Sequence, residues 1–238
     1  MEDIKRALGG RNFWTAMLAA SAVLAMGTKF VWSGELEADS HLKILMEAMK
    51  SDITVFMLPI IAVLPYTTAF VDEVSSGFGK FCLLRTNRFS YVAGKAAGAW
   101  IGAAAALTGG AFLNSFIYWL IFSPMEAAGG GGIWGEFAAQ AIRLGMTGGL
   151  LALLGTCLAV WMMSNYMAYI APFVIYYFLI MLKERYFEGI YCIYPKEWIA
   201  PEHYWGDGNI GLTLFFMAWT LFLGIVCVRM MYRRLEDV

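Results

Sequence analysis

Two Gly-Lys pairs, Gly79-Lys80 and Gly94-Lys95, are where this chain of 238 residues would hold a phosphate if it did nucleotide chemistry. A phosphate-binding loop needs the spacing G-x-x-x-x-G-K-[ST], in which glycine backbone wraps the phosphates and the final hydroxyl holds magnesium. Phe81 follows the first pair and Ala96 the second, and neither pair has the preceding glycine. ATP hydrolysis is therefore not expected of this chain. The two histidines, His41 and His203, belong to no H-E-x-x-H pattern, and there is no G-x-S-x-G and no pair of intramembrane aspartates, so intramembrane hydrolysis has no machinery. The cysteines Cys82, Cys157, Cys192 and Cys227 form no C-x-x-C or Cys/His cluster, which indicates neither a disulfide framework nor a metal site. No catalytic residue and no cofactor bound by this chain is expected.

What remains is a stretch of mixed character, FVDEVSSGFGKFCLLRTNRFSYVAGK, Phe70 to Lys95. It sets an acidic pair, a Ser-Ser-Gly turn, an apolar stripe and several basic residues between two very apolar segments. As a helix from about Val74, it places Val74, Phe78, Phe81, Cys82 and Arg85 along one face, the pattern of a helix parallel to a membrane surface. Asp72 and Glu73 stand at its N-terminus and Arg85 and Arg88 near its C-terminus, where the helix dipole favours each sign. Capping alone accounts for these charges; a contact with a partner is the alternative.

The elements that must position this stretch are membrane spans. Hydrophobic residues make up 60% of the chain and aromatic ones 16%, with a mean hydropathy of +0.63, far from the mix of soluble domains. At roughly 20 residues per span there is room for about six helices and no separate soluble domain. The 17 basic and 18 acidic residues, net −1, give no field that would gather nucleic acid.

The expected fold is an all-α membrane protein, a single domain over 1–238 with spans at 13–32, 53–71, 97–123, 144–163, 167–182 and 210–228. Residues 1–12 read as a short interfacial helix, with Met1, Ile4 and Leu8 on one face and a break at Gly9-Gly10. Small residues near Ala22 and Ala25 imitate a cleavage site, but Glu2, Asp3 and the long apolar run favour an uncleaved first span. Between spans one and two, Leu42, Leu45, Met46 and Met49 share a face of an amphipathic surface helix from Leu36 to Lys50. Pro59 and Pro65 in the second span each remove a backbone donor and kink a helix.

Tyr91 to Ser123 reads as one helix of 33 residues, about 50 Å against a hydrocarbon core of about 30 Å, so its first turns project beyond the membrane. Gly94, Gly98, Gly102, Ala106 and Gly110 recur every four residues along it, smooth enough for another backbone to approach. That neighbour is either another helix of the same subunit or a second subunit. Ala127 to Phe137 reads as a glycine-rich connection. Arg143, which follows it, either snorkels to the outer surface or holds an anionic substrate. With Pro59, Pro65 and Asn114 it makes up the candidate pathway residues. Residues 183–209, with seven aromatics among charges, suit an external segment that dips into the interface. The spans otherwise show almost no ionisable group, which argues against a proton relay.

An even number of spans puts both termini on one side. Ten Lys/Arg then lie on the terminal side (5, 6, 11, 80, 85, 88, 95, 229, 233, 234) against six on the other, with Lys29 inside the first span. The bias favours cytoplasmic termini and a cytoplasmic 72–90 loop.

The run PYTTAFVDEVSSGFGKFCLLRTNRFSYVAGK resembles the first cytoplasmic loop of ABC-2 type transporter permeases, particularly the small bacterial ones encoded apart from their ATPase. Pro65, Glu73, Ser76-Gly77, Arg85-Thr86, Arg88, Tyr91 and Lys95 carry the likeness. The layout of interfacial N-terminal helix, six spans, tight turn at Ser164-Asn165-Tyr166 and re-entrant segment before the last span is similar too. The resemblance implies a type V exporter-like permease of the bacterial plasma membrane. In it residues 72–90 hold a coupling helix seated in a separate ABC-type ATPase subunit, which binds the ATP and magnesium. Asp72, Glu73, Ser76, Gly77, Phe78, Arg85 and Arg88 would make or support that contact, and Gly94, Gly98 and Gly102 would pack helices. It further implies a second permease, identical or related, and export of a hydrophobic or amphipathic compound by alternating access. The long helix ending at Lys50 departs from the short external loop of the family. The alternative reading is a non-transporting membrane scaffold or assembly factor whose basic loop binds anionic lipid.

Overall fold

The computed structural model describes the chain except Met1, residues 29–38, 84–85, 125, 127–131, 188, 207–208 and 237–238, and the side chains of Lys80, Phe81 and Leu83. It is built of helices: α1 (Glu2–Gly9), α2 (Arg11–Gly27), α3 (Ser40–Lys50), α4 (Asp52–Val63), α5 (Ala69–Ser75), α6 (Phe78–Leu83), α7 (Arg88–Phe122), α8 (Trp134–Met162), α9 (Asn165–Arg185), α10 (Pro195–Ile199) and α11 (Ile210–Glu236). Four of them, α7, α8, α9 and α11, are long and apolar enough to cross a membrane. At 17 residues α2 and at 12 residues α4 fall short of the roughly 20 that a span needs.

The bundle is organised around α8. In its most apolar window 78% of residues are buried, against 33% in α7, 22% in α9 and 17% in α11. A helix that is apolar on all sides takes the interior, and α8 does so by presenting glycines to its neighbours. A Cβ at Gly149 would stand 2.6 Å from Trp100 Nε1 on α7, and one at Gly155 2.9 Å from the Ala168 carbonyl on α9. The outer helices turn Phe116, Leu120, Ile170, Phe178, Leu214 and Leu221 outward, as lipid-facing surfaces require.

The glycine stripe of α7 is used within the chain. A Cβ at Gly94 would stand 2.8 Å from the Asp3 carboxylate, at Gly98 3.0 Å from the Tyr66 ring, at Gly102 3.5 Å from Ala7 and Pro65, and at Gly110 2.7 Å from Ala20. Of the two neighbours the sequence allows, these contacts are all with the same subunit. Through them α1, read from sequence as an interfacial helix, lies against α7 with Ala7 buried.

Several boundaries differ from those the sequence suggests. The second span, expected at 53–71, ends as a helix at Val63 and becomes a turn through Leu64–Thr68. Pro65 has no N–H to continue the ladder; the Ile61 carbonyl accepts from Leu64 N–H instead (3.2 Å), in a tighter turn. The 72–90 loop is two short helices, not one, because Gly77 sits between them at φ +75°, a backbone shape that side chains disfavour. Asn87 caps the next helix by accepting from Phe89 N–H at 3.2 Å, so α7 starts at Arg88. The fourth expected span begins at Trp134 as α8, inside the stretch read as a connection, and Arg143 lies well within it. The last helix continues past 228 to Glu236. Helix α3 buries Leu42, Leu45 and Met49 against the bundle, on the face its spacing predicts. The expected start of that helix, from Leu36, lies partly outside the described residues, as do residues 29–32 of the first span.

Candidate functional site

Tyr91 and Lys95, four residues apart, occupy one face of the first turns of α7. Lys95 is the surprise: its side chain is 1% exposed, in a chain whose spans promised almost no buried charge. A buried ammonium must be paired and hydrogen-bonded, and this one makes two hydrogen bonds and a further ion pair. It donates to Glu73 Oε1 at 2.5 Å and to the Tyr66 hydroxyl at 2.9 Å, and it lies 3.0 Å from Asp3 Oδ1.

The acceptors are themselves tied together. Tyr66 donates to Asp3 Oδ1 at 2.8 Å, and Tyr91 donates to Glu73 Oε2 at 2.6 Å. Arg6 reaches Glu73 at 3.6 Å from a half-exposed position. The rings of Tyr66 and Tyr91 stand 5.0 and 5.6 Å from the ammonium, close enough for a cation–π contribution. Two cations and two carboxylates leave the cluster formally neutral.

Four elements converge here, each for a local reason. The turn forced by Pro65 delivers Tyr66, α5 delivers Glu73, α1 delivers Asp3 and Arg6, and the Asn87 cap fixes the register of α7. Gly94 and Gly98 keep the space that Asp3 and Tyr66 fill.

The residues singled out from sequence divide in two around this cluster. Glu73 points inward and is committed to Lys95 and Tyr91. Asp72, Ser76, Phe78 and Arg88 are exposed, Phe78 at 48%. Asp72 accepts from Asn165 Nδ2 at 2.6 Å, joining α5 to the start of α9. Ser76 donates its hydroxyl to the Glu73 carbonyl at 3.2 Å, Gly77 makes the turn, and Arg85 lies outside the described residues. The outcome is a short helix, α6, with Phe78 exposed at its start, hung on a glycine turn from a base locked into the bundle.

The candidate pathway residues are each held in a separate packing contact. Pro59 and Pro65 are buried in and after α4. Asn114 is buried and donates to the Ser21 carbonyl at 3.2 Å. Arg143 is half-buried, its Nε donating to the Ile199 carbonyl of α10 at 3.3 Å, which is a structural use of the side chain.

Sequence reasoning missed Asp3, Arg6 and Tyr66 as members of the cluster. Asp3 and Tyr66 are 63 positions apart, and no local pattern joins them. The one signal available was Tyr91 and Lys95 at helical spacing beside a glycine stripe. No family model, no curated protein and no solved structure matches this chain.

Proposed function

We propose that this chain is the membrane permease subunit of an ATP-binding cassette transporter of the ABC-2 type, with α5 and α6 as the element that couples a separate ATPase subunit to the spans. The observation that carries the reading is the mechanical path from α6 into the bundle. A push on exposed Phe78 is borne by the Gly77 turn and α5, and reaches α7 and α1 through Glu73, Lys95 and Asp3. A solvated loop would not need a buried, interlocked ion cluster at its root.

On this reading α2 and α4, with the turn and α5 that follow α4, supply the two further crossings of a six-span permease with both termini in the cytoplasm. ATP and magnesium belong to the ATPase. A second permease pairs with this one, and the transported compound is hydrophobic or amphipathic.

The test is to tag the chain in its native membrane, solubilise gently and identify by mass spectrometry what co-purifies stoichiometrically. A P-loop ATPase of the ABC class is the expected result. Recovery of the chain alone, under conditions that keep a known ABC complex together, overturns the proposal.

A further inference from the structure

The outward face of α11 ends in a groove of about 590 Å³, closed on one side by Phe89 in the first turn of α7. Along α11 its wall passes from Leu221, Gly224 and Ile225 to Arg229, Tyr232 and Arg233. The thirteen residues from Leu221 to Arg233 rise about 18 Å, close to the ~15 Å of one leaflet of the hydrocarbon core. The apolar end, Leu221 to Val228, covers about 10 Å of that depth, and the other end is cationic where the apolar run of α11 stops. Tyr232, an aromatic with a polar tip, stands at the junction, where such side chains favour the membrane interface.

Among the described residues neither arginine is committed. Arg234 beside them donates to the Trp161 carbonyl at 2.6 Å, whereas among the described residues Arg229 and Arg233 have no hydrogen bond or ion pair. Glu236 borders the same end, leaving the groove one net positive charge, the complement of a singly charged phosphodiester. A two-fold pairing of this face with a second copy would bring four arginines together, which like-charge repulsion opposes.

We infer that the groove is a site for one anionic phospholipid. Leu221, Gly224 and Ile225 take an acyl chain, and the forked guanidiniums of Arg229 and Arg233 take the headgroup phosphate. The inference does not depend on the permease reading.

The test uses the full chain in detergent with added dioleoylphosphatidylglycerol or dioleoylphosphatidylcholine, read by native mass spectrometry. The expected result is preferential retention of the anionic dioleoylphosphatidylglycerol. Arg229→Gln and Arg233→Gln each weaken it about fivefold, and the pair about 25-fold, as loss of juxtamembrane arginines implies. Gly224→Phe places its side chain in open space, since a Cβ there meets nothing within 4 Å, and should lower retention of both lipids without disturbing the fold. If the double Gln variant does not fold, Gly224→Phe alone decides. Unchanged lipid retention in Gly224→Phe overturns the inference. So does disulfide cross-linking between Gly224→Cys copies in the membrane, which would make a second copy the occupant.

Discussion

Lys95→Met removes the ammonium at the centre of the cluster while keeping much of the side chain's length and apolar stem. What it leaves behind is two carboxylates, Asp3 and Glu73, with side chains 19% and 17% exposed, facing each other across the space the cation held. Breaking a buried ion pair from one side costs about 3–5 kcal/mol, because the surviving charge is stranded. Arg6 does not offset this: its side chain is 54% exposed and 3.6 Å from Glu73, and such pairs contribute about 1 kcal/mol or less. For a chain of this size the loss lowers the thermal midpoint by roughly 6–20 °C, read in detergent by intrinsic fluorescence against the parent. Adding Asp3→Asn and Glu73→Gln to Lys95→Met neutralises the stranded charges, so the triple variant is more stable than the single one. A single variant within about 1 kcal/mol of the parent, or a triple variant that sums the losses, would show that the cluster is not an interlocked unit and would refute the mechanical path built on it.

Further outcomes follow from other parts of the structure. Gly94→Ala should destabilise by about 1–3 kcal/mol as its Cβ meets the Asp3 carboxylate, while Gly135→Ala, which meets nothing within 4 Å, should be neutral or gain up to about 1 kcal/mol; equal midpoints for the two would refute close packing of α1 on α7. Phe78→Asp with Arg88→Glu alters only exposed positions, so stability should stay within about 0.5 kcal/mol while ATPase co-purification falls. Undiminished co-purification would remove α6 from the contact. Outside the spans, burial pushes the Glu197 carboxyl upward, but the His203 ring at 2.7 Å and the Glu202 and His203 amides outweigh it and hold the group below its usual 4.5. A depressed value stabilises the fold fully above about pH 4.5 and loses that contribution as pH falls below it. Midpoints of the parent and Glu197→Gln should therefore differ at pH 7 and converge toward pH 3, and a constant gap would exclude ionisation as the cause.

Much of the helical layout is legible in the sequence because it rests on local periodicity. The length of α7, the buried face of α3 and the boundaries of α9 all follow from apolar spacing read within one window. The break at Gly77 was visible as a Ser-Ser-Gly turn, yet the apolar stripe across it pointed to one continuous helix, and the positive φ prevailed. The burial of Lys95 was not legible. It looked like a flanking base near the end of a span, and what encloses it is α1, whose polar residues Asp3 and Arg6 suited an interface equally well. Long-range pairing of this kind leaves no periodic trace, and the inward turn of Glu73 toward Lys95 and Tyr91 is hidden for the same reason.

The groups gathered around Lys95 all lie upstream of it. Asp3, Tyr66, Glu73 and Tyr91 leave the ribosome before Lys95 does, so each acidic partner waits, without its main cation, until the start of α7 emerges. The cluster is thus a checkpoint in time as well as a joint in space. The first two fifths of the chain closes on itself only when the root of the longest helix arrives, and a nascent chain halted before residue 95 carries Asp3 and Glu73 with only Arg6 left of the cluster's cations to answer them.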